Sequence, residues 1–234
     1  FNCGEEAAAK KEFHRSPVYS LGFCGEQPRL WVNRLGESTS EYAWPSGEFV
    51  TQLPLAGGMM SCFACAGDDP VTTVVRDFKG NLIIARGEQI CTTIRGHSAR
   101  ESIENIDVTE DGNTVFAAVP GGVLLQWTWN GSEFELVTES TPGHLNCIAA
   151  SPDGRYLLMG RESCRVTIWN VENRQAELDF HPHQDRLAVT KWSPDGRQFA
   201  TAGEDGNVRL WDRVSGKMLW QARSDDVPSC PLAF

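Results

Sequence analysis

Short apolar runs of four to seven residues, rich in Val, Ile, Leu, Phe and Trp, alternate along the chain with polar turns carrying Asp-Gly, Gly-Glu or other glycine-rich pairs. Runs of that length between turn residues are the pattern of short antiparallel strands. A 3.6-residue period shows only in the brief stretch EEAAAKKE over 5–12, so all-α and α/β folds, which need long helices, are excluded. No run approaches eighteen apolar residues, and no membrane-spanning helix is expected.

The strand pattern repeats. SPDGRYLLMG at Ser151 returns as SPDGRQFATAG at Ser193, forty-two residues later. Steps of forty-two or forty-three backwards reach TEDGNTVFAAV at Thr109, AGDDPVTTVV at Ala66 and CGEQPRLWV at Cys24. Each turn follows a short apolar stretch (VYSLGF, MMSCFAC, IENIDV, LNCIAA, LAVTKW) and usually precedes a tryptophan: Trp44, Trp127, Trp169 or Trp211. In the second repeat Ile83 stands near that place. A unit of this length with four strands is one blade of a β-propeller, whose radial repetition leaves only short, protected edges. The expected fold class is therefore all-β, a propeller of four-stranded antiparallel blades.

Blades are expected over 14–54, 55–95, 96–140, 141–181 and 182–221. Residues 1–13 would supply an outer strand and 222–234 an inner strand of a further, incomplete blade, all within one propeller domain. Two arrangements fit: an incomplete portion of a roughly seven-bladed ring, for which ~290 residues would be needed at ~42 each, or an open or five-bladed assembly. The first is favoured, because an open sheet edge invites aggregation.

The fifth repeat, HQDRLAVTKWSPDGRQFATAGEDGNVRLWDRVSGK, closely resembles a WD repeat, with its Trp211-Asp212 pair in place. The resemblance implies a structural tetrad of His183, Thr201, Asp205 and Trp211. In it Asp205 would accept from backbone N–H groups and from the imidazole, and Thr201 would relay from His183 to the Trp211 indole. The other repeats depart from the pattern. The fourth has Trp169-Asn170 with Thr141, Met159 and Ser163 at the remaining places. The third has Trp127-Thr128 with His97 two residues early, and the first has His14 and Trp44 but no Asp in the turn.

The resemblance also implies that one propeller face is lined by the first residues of the inner strands. Here these are Pro17, Met59, Ser102, His144, Arg186 and Pro228, joined by Glu162 and Glu204 from the turns after second strands. An exposed Met with Pro neighbours suits contact with a protein or peptide.

Charge and composition narrow the reading. With 21 basic against 31 acidic residues the net charge is −10, which argues against a phosphate-binding role; no nucleic-acid or membrane partner is expected. No G-x-S-x-G, G-x-x-x-x-G-K, H-E-x-x-H or G-x-G-x-x-G motif occurs, and Ser215-Gly216-Lys217 reads as a hairpin turn. Cys62 and Cys65 have the spacing of a zinc or redox half-site, but in a strand residues three apart point to opposite faces. The eight cysteines are therefore expected as buried apolar residues, with no metal or cofactor, and reduced thiols suggest the cytoplasm. His181 and His183 flank Pro182, the first expected exposed and the second structural; Asn130-Gly131-Ser132 is expected to be a hairpin turn rather than a glycosylation acceptor.

The expected function is a non-catalytic WD-repeat scaffold that binds partner proteins or peptides on the propeller face. The alternative is the sensor or regulatory propeller portion of a larger signalling enzyme, such as a protein kinase. A catalytic propeller is disfavoured because no cluster of acids or bases falls on one predicted face.

Overall fold

The computed structural model describes residues 18–24, 29–34, 39–53, 63–68, 70–76, 80–94, 103, 105–119, 121–140 and 143–223. All regular structure within them is strand. Strands β1 (Val18–Cys24), β2 (Arg29–Arg34), β3 (Ser40–Ala43) and β4 (Phe49–Gln52) form blade 1. Blade 2 comprises β5 (Phe63–Ala66), β6 (Thr72–Arg76), β7 (Leu82–Arg86) and β8 (Gln89–Ile94). Blade 3 comprises β9 (Asn105–Val108), β10 (Thr114–Val119), β11 (Val123–Trp129) and β12 (Phe134–Ser140). Blade 4 comprises β13 (Leu145–Ala150), β14 (Tyr156–Arg161), β15 (Val166–Asn170) and β16 (Gln175–Phe180). Blade 5 comprises β17 (Leu187–Trp192), β18 (Gln198–Gly203), β19 (Asn207–Asp212) and β20 (Met218–Arg223). Every blade is an antiparallel meander, and the first strands β1, β5, β9, β13 and β17 pack side by side in chain order. These are blades of a β-propeller. The strands expected in 1–13 and 222–234 lie outside the described residues, except Ala222 and Arg223, which complete β20.

The repeated turn has one chemistry. Ser151, Ser193 and Thr109 each hydrogen-bond through the hydroxyl to the aspartate two residues on, Asp153, Asp195 and Asp111, at 2.6, 2.7 and 2.6 Å. Each hydroxyl also accepts the backbone N–H that opens the second strand, from Tyr156, Gln198 and Thr114. The glycine that ends the turn adopts a left-handed φ of +68°, +65° or +70° at Gly154, Gly196 and Gly112, a conformation costly for residues with a Cβ. Ser/Thr-x-Asp-Gly is thus the sequence form of a self-capping turn.

Alternation with period two gives each sheet two faces, and both are apolar in the interior blades. Val75, Ile83 and Ala85 pack toward blade 1 with Trp31 and Leu53, whereas Val74, Leu82 and Ile84 pack toward blade 3 with Val115, Ala117 and Trp127. Phe116, Ala118 and Leu124 meet Leu157 and Met159, and Leu158, Val166 and Ile168 meet Phe199, Trp192 and Trp211. The core is therefore four layers, one between each pair of successive blades. At roughly 1.5–3 kcal/mol per fully buried large apolar side chain, these layers dominate stability. Polar cross-links run between blades too: Thr72 Oγ1 donates to the Gly112 carbonyl at 2.7 Å, Asn105 Nδ2 to Asn146 O at 2.7 Å, and Trp192 Nε1 to Ala149 O at 2.9 Å.

Register corrects two of the expected tryptophan positions. Trp211, Trp169 and Trp127 each sit just after a bulge in the third strand, pairing with Met218, Ala176 and Leu136. The same place is held by Tyr42 in blade 1 and Ala85 in blade 2, not by Trp44 and Ile83. Trp44 lies two residues beyond it, 52% exposed, where Trp129 and Arg213 stand in blades 3 and 5. In those blades this residue rivets the preceding blade by a cation–π contact, Trp129 with Arg86 at 5.0 Å and Arg213 with Tyr156 at 4.6 Å. Trp44 instead makes an edge contact with Phe23 of its own blade, ring centroids 5.4 Å apart.

Phe199 is fully buried and touches Trp192, Phe180 and Trp211. Phe199→Ala should cost about 3–5 kcal/mol, and Trp44→Ala about 1 kcal/mol or less, in urea unfolding at unchanged m-value. Equal losses would contradict the register assignment of Trp44 to the exposed place.

Candidate functional site

Antiparallel pairing brings the start of every first strand and the end of every second strand to one end of the blades. In blades 4 and 5 this end is built alike. The Glu204 N–H donates to the Arg186 carbonyl at 2.8 Å, and the Glu162 N–H donates to the His144 carbonyl at 3.2 Å. All four side chains are exposed, and Arg186 and Glu204 lie 3.9 Å apart across the rim. His144, Glu162, Arg186 and Glu204 therefore form one continuous strip over two blades. Pro17, Met59, Ser102 and Pro228 lie outside the described residues.

Below the strip, blade 5 holds a buried polar chain. Trp211 Nε1–H donates to Thr201 Oγ1 at 2.9 Å, and Thr201 Oγ1 lies 2.8 Å from His183 Nε2. His183 Nδ1 is 2.9 Å from Asp205 Oδ1. The indole is donor-only and the carboxylate acceptor-only, which orders the protons: Thr201 O–H points at Nε2 and Nδ1–H at Asp205. Asp205 Oδ1 also accepts the Asn207 N–H at 3.0 Å, and Oδ2 accepts Arg209 Nη1 at 3.0 Å and the Gln184 N–H at 3.3 Å. Arg209, which joins through its hydrogen bond to Asp205 Oδ2, is a member that sequence reading passed over. It is the cross-strand partner of Thr201, two residues before Trp211, a pairing that only the sheet register shows.

Glycine makes room for the ring. A Cβ on Gly203 would lie 2.6 Å from His183 Nδ1. Arg161 occupies the matching place at the end of β14, where the buried Met159 replaces Thr201. Blade 4 is braced near the surface instead, by Arg165 on Asp179 through two hydrogen bonds of 2.9 and 2.8 Å, with Thr167 donating to the same carboxylate.

The electrostatics follow from this geometry. Burial alone would raise the Asp205 carboxyl, but the hydrogen bonds from His183, Arg209 and the Asn207 N–H outweigh it and hold the group well below the ordinary carboxylate range. Burial lowers His183 and outweighs the upward pull of Asp205, so the ring is kept neutral. On the inner strands, burial raises Asp107 despite the charge of Lys191 and the hydrogen bond from the Ala150 N–H.

Other candidate chemistry is absorbed by structure. Asn130 Oδ1 accepts from the Ser132 N–H and hydroxyl and from the Glu133 N–H, as a hairpin cap. His181 is exposed beside Arg165, while both nitrogens of His183 are engaged, so the two do not share a ligand site. Cys147 is buried in β13 and its thiol is pushed up to about 11 by burial, whereas Cys24, Cys65, Cys91 and Cys164 are half-buried, so the expected burial holds for one of the five described cysteines; Cys62 lies outside the described residues. Among the described residues no three metal-ligating side chains cluster.

Four-stranded meanders in a radial row, with a His-Asp-Thr-Trp chain closing one of them, define a propeller of the WD type. The family model for the WD domain, G-beta repeat, matches residues 135–170 and 175–212, so WD repeats are shown over those two stretches. Each matched unit runs from the outer strand of one blade through three strands of the next, so the sequence repeat itself links blades. The chain is 28% identical over 115 residues to periodic tryptophan protein 2 of Arabidopsis thaliana, covering 49% of this chain and 13% of that protein. It is 26% identical to protein groucho of Drosophila melanogaster over 51% of this chain and 17% of that protein. It is 31% identical to the small ribosomal subunit protein RACK1y of Oryza sativa subsp. japonica over 36% of this chain and 25% of that protein. The matches thus span a quarter or less of these relatives.

Asp205 stabilises the fold fully above its unfolded value of about 3.9, and that contribution is lost as pH falls below it. His183 stabilises fully above about 6.5 and progressively less as pH falls through that value, because only the unfolded chain then takes up the proton. Acidification should therefore lower stability in two stages. Asp205→Ala should cost about 2–3 kcal/mol at pH 7 by leaving the imidazole N–H unpaired, and should shrink the lower stage while enlarging the upper, because Asp205 also pulls His183 upward. Urea unfolding between pH 3 and 8 checks both, and an unchanged profile would exclude a structural role for the network.

Proposed function

We propose that this chain is a non-catalytic platform that binds a protein or peptide partner at the end of the blades where first strands begin. The observation that carries the reading is the strip of His144, Glu162, Arg186 and Glu204, repeated at equal places in blades 4 and 5. Its backbone is pinned by hydrogen bonds, so the charged side chains are presented without an ordering cost for the main chain. The names of two relatives, a pre-rRNA-processing protein of Mycosarcoma maydis and the ribosomal protein of rice, are in keeping with work inside a large assembly. Mixed charges on the strip favour a protein surface over a phosphate backbone, which would call for clustered Lys and Arg. The free thiols Cys24, Cys65, Cys91, Cys147 and Cys164 suit a reducing compartment such as the cytoplasm.

Quantitative co-purification from cell extract checks the proposal. Arg186→Glu combined with His144→Glu should abolish recovery of specific partners, whereas Ser132→Glu, on an outer hairpin, should retain them. Equal recovery by all three proteins would place the binding surface elsewhere.

A further inference from the structure

At the opposite end of the blades, a cleft of about 270 Å³ opens between blades 4 and 5, lined by Tyr156, Ile168, Glu177, Leu178, Arg213 and Val214. Its size lies below the ~300–1,000 Å³ typical of sites that enclose a whole small molecule. It is suited to one or two side chains of a larger partner. One wall is apolar: half-buried Leu178 lies over the buried Ile168, and Val214, 81% exposed, stands uncovered at the rim.

The other wall is cationic and held in place. The Arg213 guanidinium lies over the Tyr156 ring at 4.6 Å. Arg29, Arg165, Arg186 and Arg209 each meet a carboxylate, whereas Arg213 has no ion pair among the described residues. Stacking occupies the face of a guanidinium and leaves its N–H edge for a planar acceptor. The neighbouring Asp212 is already engaged, Oδ1 accepting the Ser215 N–H at 2.8 Å and hydroxyl at 2.6 Å. Glu177 accepts from Asn170 Nδ2 at 2.8 Å. The turn carrying Arg213 and Val214 is fixed further by Gly216, at φ +64° against Leu178. A preformed site with one open donor edge beside an apolar wall is complementary to a carboxylate next to an aliphatic group.

We propose that this cleft docks a partner's peptide segment in which an aspartate or glutamate adjoins a leucine-sized side chain. The carboxylate meets Arg213, and the aliphatic group lies on Leu178 and Val214. The site is remote from the strip of blades 4 and 5 and does not depend on that reading.

The test is an NMR titration of the full chain with Ac-Leu-Asp-Leu-NH2, following amide and methyl resonances. Saturable shifts should centre on Tyr156, Leu178 and Arg213. Affinity should fall roughly tenfold for Ac-Leu-Asn-Leu-NH2, and by the same factor in Arg213→Gln, for loss of one charge-assisted hydrogen bond. Val214→Asp should weaken the acidic peptide further. If Arg213→Gln does not fold, the peptide series on the unaltered chain decides. No saturable shift at the cleft, equal binding of Ac-Leu-Lys-Leu-NH2, or stronger shifts from an oligouridylate would overturn the proposal.

Discussion

Everything in this molecule depends on burial between consecutive sheets. A four-stranded meander has two faces and cannot bury either alone; the neighbouring blade supplies the cover. Successive residues of one strand therefore serve different layers, as Leu157 packs toward blade 3 and Leu158 toward blade 5. A strand slipped by one residue would exchange the two sets, so register is fixed by both layers at once. Between blades 4 and 5 the cover reaches the outermost strand, where Leu178 packs against blade 5.

The polar network of blade 5 works within that apolar frame. Its four side chains stand on the loop before β17, on β18, in the turn that follows β18 and on β19, so the network ties the blade from its inner edge to Trp211. Arg209 completes the set, because a buried carboxylate with four incoming donors is left with no unpaired lone-pair site. Blade 4 has lost the histidine-compatible glycine and the threonine together, with Arg161 and Met159 in their places. Its bracing moves outward to Arg165 and Asp179, and its buried layer is apolar instead. The strip that presents Arg186 and Glu204 thus rests on a polar brace in one blade and an apolar one in the next.

Much of this was legible in the chain because turns are local. Ser-Pro-Asp-Gly carries its own hydroxyl, carboxylate and left-handed glycine, so its recurrence announces a hairpin and its period announces a blade. The tryptophans were less legible. Trp44 falls within two residues of the expected place, and only the bulge between Glu41 and Tyr42 shows that Tyr42 holds the place that Trp211 holds in blade 5. Arg209 was hidden for a related reason, since an arginine in a strand reads as an exposed residue until its cross-strand neighbour is known. The cleft between Tyr156 and Arg213 had no sequence signature, because its walls are fifty-seven residues apart and belong to different blades.

Sequence alone determined the strand-and-turn alphabet and the repeat length, which follow from local turn chemistry and from a spacing that any copy of the unit must keep. The grouping of His183, Thr201, Asp205 and Trp211 in one unit was implied by the resemblance of that unit to a WD repeat. Tertiary structure alone decided which residue of each third strand is buried, which arginines find carboxylates, and where two blades leave an open cleft. Those outcomes depend on bulges and on side chains brought together across sheets, and neither is encoded in the spacing of a single run.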